Sequence, residues 1–136
     1  MNDCAELDKF AQRYAKAWCS QNPESVAAFF AERGSISINN GPPAVGRIAI
    51  AREAQAFMTT FPDMIVTFDK LEPQGDRTAF HWTLTGTNSG PGGTGKRVGI
   101  SGYELWKIDN DGLIAQSEGY FDATDYERQL KGSNQG

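Results

Sequence analysis

Near the end of the chain three polar side chains fall at alternate positions, Glu118, Tyr120 and Asp122, inside the run Ile114 to Asp122. On an extended strand successive residues point to opposite sides. These three therefore share a face with Ile114 and Gln116, while Ala115, Ser117, Gly119 and Phe121 occupy the other, nearly bare face. Two carboxylates flanking a phenol need water, hydrogen-bond partners or a cavity, because an unpaired buried charge is costly. The expectation is that this strand lines a pocket and that Asp122 is its reactive group, with Glu118 and Tyr120 as polar neighbours. Each carboxylate also has a structural role open to it. Asp122 stands just before a tail helix and can cap it, and Glu118 can be an ordinary solvent-facing strand residue.

The remaining chemistry-bearing residues are few. His81 is the only histidine and lies opposite in parity to Phe80, Trp82 and Leu84. That position suits a sheet-surface or interface residue, or an auxiliary proton carrier with a near-neutral pKa. With one histidine and two cysteines, a structural zinc site or a haem attachment motif is not available. No metal and no cofactor is expected, and carboxylates are left as the main acid and base candidates. The loop Gly90-Pro91-Gly92-Gly93-Thr94-Gly95-Lys96 imitates the spacing of dinucleotide and phosphate-binding glycine motifs. Both motifs need a helix amino terminus behind the glycines. Here Arg97-Val98-Gly99-Ile100 reads as strand, so the loop is expected to be a hairpin connection.

The elements that position these residues follow from periodicity. Asp3 with Glu6 reads as a capping box, and Leu7, Phe10, Ala11, Tyr14, Ala17 and Trp18 follow at helical spacing. Asn22-Pro23 starts a second, short helix carrying Val26, Phe29 and Phe30 until Gly34. Ser35 to Ile38 is a brief β-branched alternation, Asn39 to Pro43 a loop, and Arg47 to Thr60 a helix ended by Phe61-Pro62-Asp63. From Met64 the period becomes alternating. Met64 to Leu71, Arg77 to Thr87, Arg97 to Ile108 and Leu113 to Asp122 are expected strands joined by short turns, hence antiparallel hairpins. Thr124 with Glu127 suggests another capping box, with Tyr126 and Leu130 able to pack. Helices first and hairpinned strands second describe an α+β domain, with helices covering one face of a curved antiparallel sheet. The aromatic set Tyr14, Trp18, Phe29, Phe30, Phe57 and Phe61 is core. Of these, Tyr14, Trp18, Phe57 and Phe61 can wall an apolar pocket between helices and sheet.

Composition bounds the partners. A chain of 136 residues suits a single domain, expected over 1–131 with a frayed tail at 132–136. The net charge of −4 and sequence pI near 4.9 argue against nucleic acid and anionic membranes, which select for basic patches. No stretch approaches the roughly 18 apolar residues of a membrane span, and the amino terminus lacks the pattern of a secretory signal. Cys4 and Cys19 fall in one helix about 22 Å apart at its usual rise, too far for a disulfide. Two free thiols fit a reducing, cytoplasmic setting.

The order and spacing of several strings resemble the SnoaL-like polyketide cyclases, within the nuclear transport factor two-like superfamily of α+β cones. The strings are Phe61-Pro62-Asp63-Met64, His81-Trp82 followed by Gly86-Thr87-Asn88-Ser89-Gly90, Thr94-Gly95-Lys96, Asp111-Gly112-Leu113-Ile114 and Phe121-Asp122. The resemblance covers nearly the whole chain. It implies a curved sheet around a deep apolar pocket and a homodimer formed through the outer sheet face. It also implies a cofactor-free intramolecular aldol closure in which an aspartate at the position of Asp122 acts as general base and acid. The family often has histidine where Asn88 stands, and Asn88 is then a hydrogen-bonding rather than a proton-carrying neighbour. Two functions follow as expectations: a cyclase or isomerase acting on a small apolar carbonyl compound by carboxylate acid–base catalysis, or a non-catalytic, dimeric small-molecule-binding domain.

Overall fold

The computed structural model describes residues 3–131, with side chains from Ala5 onward. The Asp3 side chain of the first expected capping box, the Cys4 thiol and the tail at 132–136 lie outside the described residues. In chain order the elements are α1 (Asp3–Cys19), α2 (Pro23–Ala27), β1 (Phe30–Ile38), β2 (Ala44–Val45), α3 (Arg47–Thr60), β3 (Ile65–Gln74), β4 (Arg77–Thr87), β5 (Arg97–Ile108), β6 (Ile114–Phe121) and α4 (Ala123–Lys131). The strands form one sheet in the order β2-β1-β6-β5-β4-β3. No helix is long and apolar enough to cross a membrane among the described residues.

The α+β class expected from the change of period is what the chain forms, with one refinement of the sheet. β3 to β6 make the antiparallel meander, but β1 lies parallel to β6, so the sheet is mixed. The second helix is also shorter than its apolar stripe suggests. It is capped by Asn22, whose Oδ1 accepts from Glu24 N–H at 3.2 Å, and it ends at Ala27. Phe29 already accepts a backbone hydrogen bond from Ile114 at 3.0 Å, and Phe30 opens β1. Pairing with a central strand outweighs helix propensity here. Gly34 belongs to that strand too, since a Cβ there would stand 2.7 Å from the Ile114 carbonyl oxygen.

Two polar clamps set the sheet ends. Asp63, just before β3, accepts from the Thr87 N–H at 2.7 Å and from the Thr87 hydroxyl at 2.8 Å, which ties the start of β3 to the end of β4. Those bonds, the backbone one foremost, hold its carboxyl below the usual range. β5 runs past its partner β6, whose pairing begins at Gly102 opposite Phe121. The backbone left unpaired at Gly99 is covered by α4, where the Gln129 amide accepts from Gly99 N–H at 2.7 Å and donates to Gly99 O at 2.9 Å. A bare strand edge is thereby closed to further pairing. The glycine loop before β5 packs on the end of α3, with Gly90 N–H on the Thr60 carbonyl at 3.2 Å, and leads into strand rather than helix.

Helices α1 and α3 cover the inner sheet face. Phe68, Phe80 and Trp106 stack across β3, β4 and β5 with centroids 5.7 and 4.8 Å apart. Tyr14 of α1 meets the edges of Phe80 and Trp106, each at 5.3 Å. This contact brings a helix hydroxyl down onto the middle of the sheet. Cys19, at the end of α1, is a free thiol whose Sγ accepts the Val66 N–H at 3.2 Å.

Candidate functional site

A cavity lies between the helices and the inner sheet face. Trp18 of α1, Phe57 of α3, Phe80 and Trp82 of β4 and Phe121 of β6 form its aromatic walls, and Glu104 of β5 supplies the only ionisable side chain among the lining residues. Its volume is about 60 Å³, on a measure where one water occupies roughly 10–15 Å³. The cavity therefore suits a compact molecule.

The register of the strands explains why space remains there. On the inner face Phe80 stands opposite Glu104, and Glu104 opposite Gly119; in the neighbouring row Trp82 stands opposite Gly102, and Gly102 opposite Phe121. Large rings thus alternate with glycines. A Cβ at Gly102 would come within 2.7 Å of the Trp82 ring, so the indole lies across the strand only because that position is bare. At Gly119 a Cβ would meet Glu104 Cγ at 3.7 Å, so glycine there leaves room beside the carboxyl group.

Glu104 is 7 % exposed and is held by three donors on a single oxygen. Its Oε1 accepts from the Tyr14 hydroxyl at 2.9 Å, the Trp106 indole N–H at 2.9 Å and the Ser117 hydroxyl at 2.8 Å. Oε2 receives no hydrogen bond among the described residues, and the side chain borders the cavity. Burial raises the Glu104 pKa above the ordinary carboxylate value, while the bonds from Trp106, Ser117 and Tyr14 oppose the shift. Burial and the adjacent Glu104 charge push the Tyr14 hydroxyl well above its usual value, so it remains a proton donor to Glu104. A fixed carboxyl group displaced towards neutrality, with one oxygen free, is equipped to take and return a proton.

The residues singled out in the sequence fall elsewhere, for an identifiable reason. The last strand does line the cavity, but through Gly119 and Phe121, the bare face. A register shift at Ala115, where Ile108 pairs with Ile114 and Lys107 with Gln116, lets Ile114 and Ser117 both be buried. Gln116, Glu118 and Tyr120 then point away from the helices. Asp122 is exposed, and its Oδ1 accepts the Asp125 N–H at 3.0 Å. It caps α4, the structural role open to it from the sequence, whereas Thr124 lies inside the helix. Glu118 lies 3.8 Å from Arg77, and the Tyr120 hydroxyl reaches Asn40 Oδ1 at 3.4 Å.

His81 sits on the same outer face, 2.9 Å from Glu72, with its ring 5.7 Å from Tyr103. Asn88 is buried but shapes the β4–β5 loop, its backbone pairing with Lys96 and Gly95, and does not line the cavity. Of the four expected wall residues, Trp18 and Phe57 line it. Tyr14 stands behind Glu104, and Phe61 is core, with its ring 6.4 Å from Tyr126.

Glu104 stands outside the residues singled out in the sequence, although β5 carries a signal for it. Val98, Ile100, Gly102, Glu104 and Trp106 share one parity, and four of them are apolar or small. A carboxylate inside that series is either paired or functional.

The structure resembles several solved proteins. A protein of ketosteroid isomerase-like fold from Catenulispora acidiphila, in complex with trimethylamine, is 18% identical, with 90% of this chain and 92% of that one covered at a TM-score of 0.79. TsrD from Streptomyces laurentii is 20% identical, with 96% and 98% covered at 0.79. A phenazine biosynthesis-related protein from Pseudomonas aeruginosa is 16% identical, with 95% and 90% covered at 0.74. At such identities the likeness establishes the fold. No curated protein sequence matches the chain. The model of the SnoaL-like polyketide cyclases, however, matches residues 8–130, and the chain belongs to that family.

Proposed function

We propose that this protein is an enzyme of the cyclase or isomerase type that moves a proton on a small, uncharged carbonyl compound, with Glu104 as its carboxylate base and acid. The observation that carries this reading is the division of labour within one side chain. Oε1 is saturated by Tyr14, Trp106 and Ser117, and Oε2 is free on a group that borders an aromatic cavity.

In the proposed step the carboxylate takes a proton from the carbon next to the carbonyl. The C–H electron pair becomes the enolate double bond, and the carbonyl π pair moves to oxygen. Return of the proton to another carbon of the conjugated system gives an isomer. Attack of the enolate carbon on a second carbonyl, with the proton passed to the new alkoxide, gives an aldol-type ring. The small cavity favours a compact substrate.

Asp122 enters this proposal as the cap of α4. The second reading, a binding domain without catalysis, draws on the saturation of Oε1, which also suits a structural carboxylate. The two are separated by adding a β,γ-unsaturated cyclic ketone in deuterated water and following deuterium uptake and conjugation by NMR. Catalysis predicts turnover that Glu104→Gln abolishes while ketone binding persists. Binding without turnover in the wild-type protein supports the second reading.

The outer sheet face is proposed as the seat of a homodimer. Lys70, His81, Tyr103 and Tyr120 stand in register across four strands, and Val45, Ile65 and Tyr103 are exposed large apolar side chains of that face.

A further inference from the structure

Resting on the assignment of Glu104 above, we propose that the Trp82 indole N–H is the donor that receives the substrate's carbonyl oxygen. The cavity offers few polar side-chain atoms. Glu104 is the one ionisable lining residue and an acceptor when ionised, and the lining residues Trp18 and Trp82 carry buried indole N–H groups that have no hydrogen-bond partner among the described residues. A buried donor left unpaired is costly, and phenylalanine fills such a wall without that cost. The Trp18 group lies near the Tyr14 hydroxyl, where it favours the phenolate form, although it completes no hydrogen bond. Ser37 also lines the cavity, but it stands opposite Glu118 of β6 and shares its outward parity, so Trp82 is the donor left for a ligand.

Register places that donor correctly. Trp82 stands opposite Gly102, and Glu104 is two residues further along β5 on the same face. Diagonal neighbours of this kind lie about 7–8 Å apart at their Cα atoms. With no Cβ at Gly102 between them, the indole and the carboxyl group border one space. An oxygen held by Trp82 puts the adjacent carbon towards Oε2, and the N–H stabilises negative charge as it develops on that oxygen. The Nε1 atom has almost no accessible surface, so binding of an oxygen there requires the indole to rotate.

The same inventory defines the ligand's charge. Among the described residues no lysine, arginine or histidine lines the cavity, so a carboxylate or phosphate finds no counter-charge there and meets Glu104. An ammonium ion cannot accept from an indole N–H. The ligand is a neutral molecule with one acceptor oxygen and otherwise apolar surface.

The test is an NMR titration of the nitrogen-15-labelled full chain with cyclohexenone and with a hydrocarbon of the same shape. The Trp82 indole resonance is expected to move downfield with the ketone and not with the hydrocarbon. Trp82→Phe is expected to reduce the preference for ketone over hydrocarbon about tenfold. A Trp82 resonance that stays in place while other cavity resonances move overturns the proposal, and this readout needs no variant to fold. A ketone-specific Trp82 shift in a protein whose proton exchange survives Glu104→Gln supports the donor and removes the base, so the two assignments fail separately.

Discussion

The Tyr14 hydroxyl donates a 2.9 Å hydrogen bond to Oε1 of Glu104, joining the first helix to the middle of the fifth strand inside the core. Removing it with Tyr14→Phe takes away a bond that favours the carboxylate, so the Glu104 pKa rises further. A bond to a charged group contributes on the order of 1.5–3 kcal/mol, and a loss of that size is expected in urea denaturation at neutral pH. The pH profile of proton transfer should move upward in the same variant. An unchanged profile means that Glu104 is not the titrating group.

Glu104 also makes folding stability depend on pH in a defined direction. Its folded pKa lies above the ordinary value of 4.5, with burial the main cause. Between that value and the folded pKa the folded state binds more protons than the unfolded one. Stability from this site is full below 4.5 and is lost as pH rises through the folded pKa. Glu104→Gln should flatten this alkaline-side decline, as read from midpoints of thermal unfolding across the pH series. Asp63 acts in the opposite sense, since its lowered pKa gives stability that is lost on acidification.

Cavity size is set by Gly119. An alanine methyl there meets Ser37 O at 3.4 Å and Glu104 Cγ at 3.7 Å, ordinary contacts, so Gly119→Ala should fold normally while filling space beside the carboxyl group. Affinity for cyclohexenone should fall, and more steeply for ring-methylated analogues. At Gly102 a methyl would come within 2.2 Å of the Tyr120 carbonyl oxygen, and Gly102→Ala is expected to be strongly destabilised in thermal unfolding.

Capping and proton transfer make different demands on Asp122. Asparagine caps a helix about as well as aspartate but carries no proton at neutral pH. Asp122→Asn should leave both melting temperature and turnover near wild type, and Asp122→Ala should cost about 1 kcal/mol by loss of the α4 cap. Lost turnover with full stability in Asp122→Asn would return the catalytic role to Asp122.

If the outer face pairs two copies, Tyr103→Arg places a charge in the middle of that interface. Sedimentation velocity should then show a dimer for the wild-type chain and a monomer for the variant. A monomeric wild type at tens of micromolar removes the dimer.

Much of the architecture was legible because hydrophobic period is a local signal. α3, β4 and β5 begin and end at the expected residues, and the change from helical to alternating period at Met64 marks the start of the meander. What failed depended on non-local pairing. Phe29 and Phe30 read as a helix stripe until β6 claims their backbone. The parity of β6 counts correctly only once the shift at Ala115 is known, and that shift arises from its register with β5. Asp122 looked reactive because strand parity grouped it with Glu118 and Tyr120, yet the strand ends one residue earlier. The parity of β5 marks Glu104 as an inward carboxylate, but its partners are legible only in the fold, since Tyr14 lies 90 residues away and Ser117 on the next strand.

The central claim, that Glu104 moves the proton, is tested most directly by deuterium uptake from deuterated water into a β,γ-unsaturated cyclic ketone, comparing wild type, Glu104→Gln and Asp122→Asn. Uptake and conjugation in wild type and Asp122→Asn, with loss in a folded, ketone-binding Glu104→Gln, is the predicted result. Undiminished uptake in Glu104→Gln would contradict it.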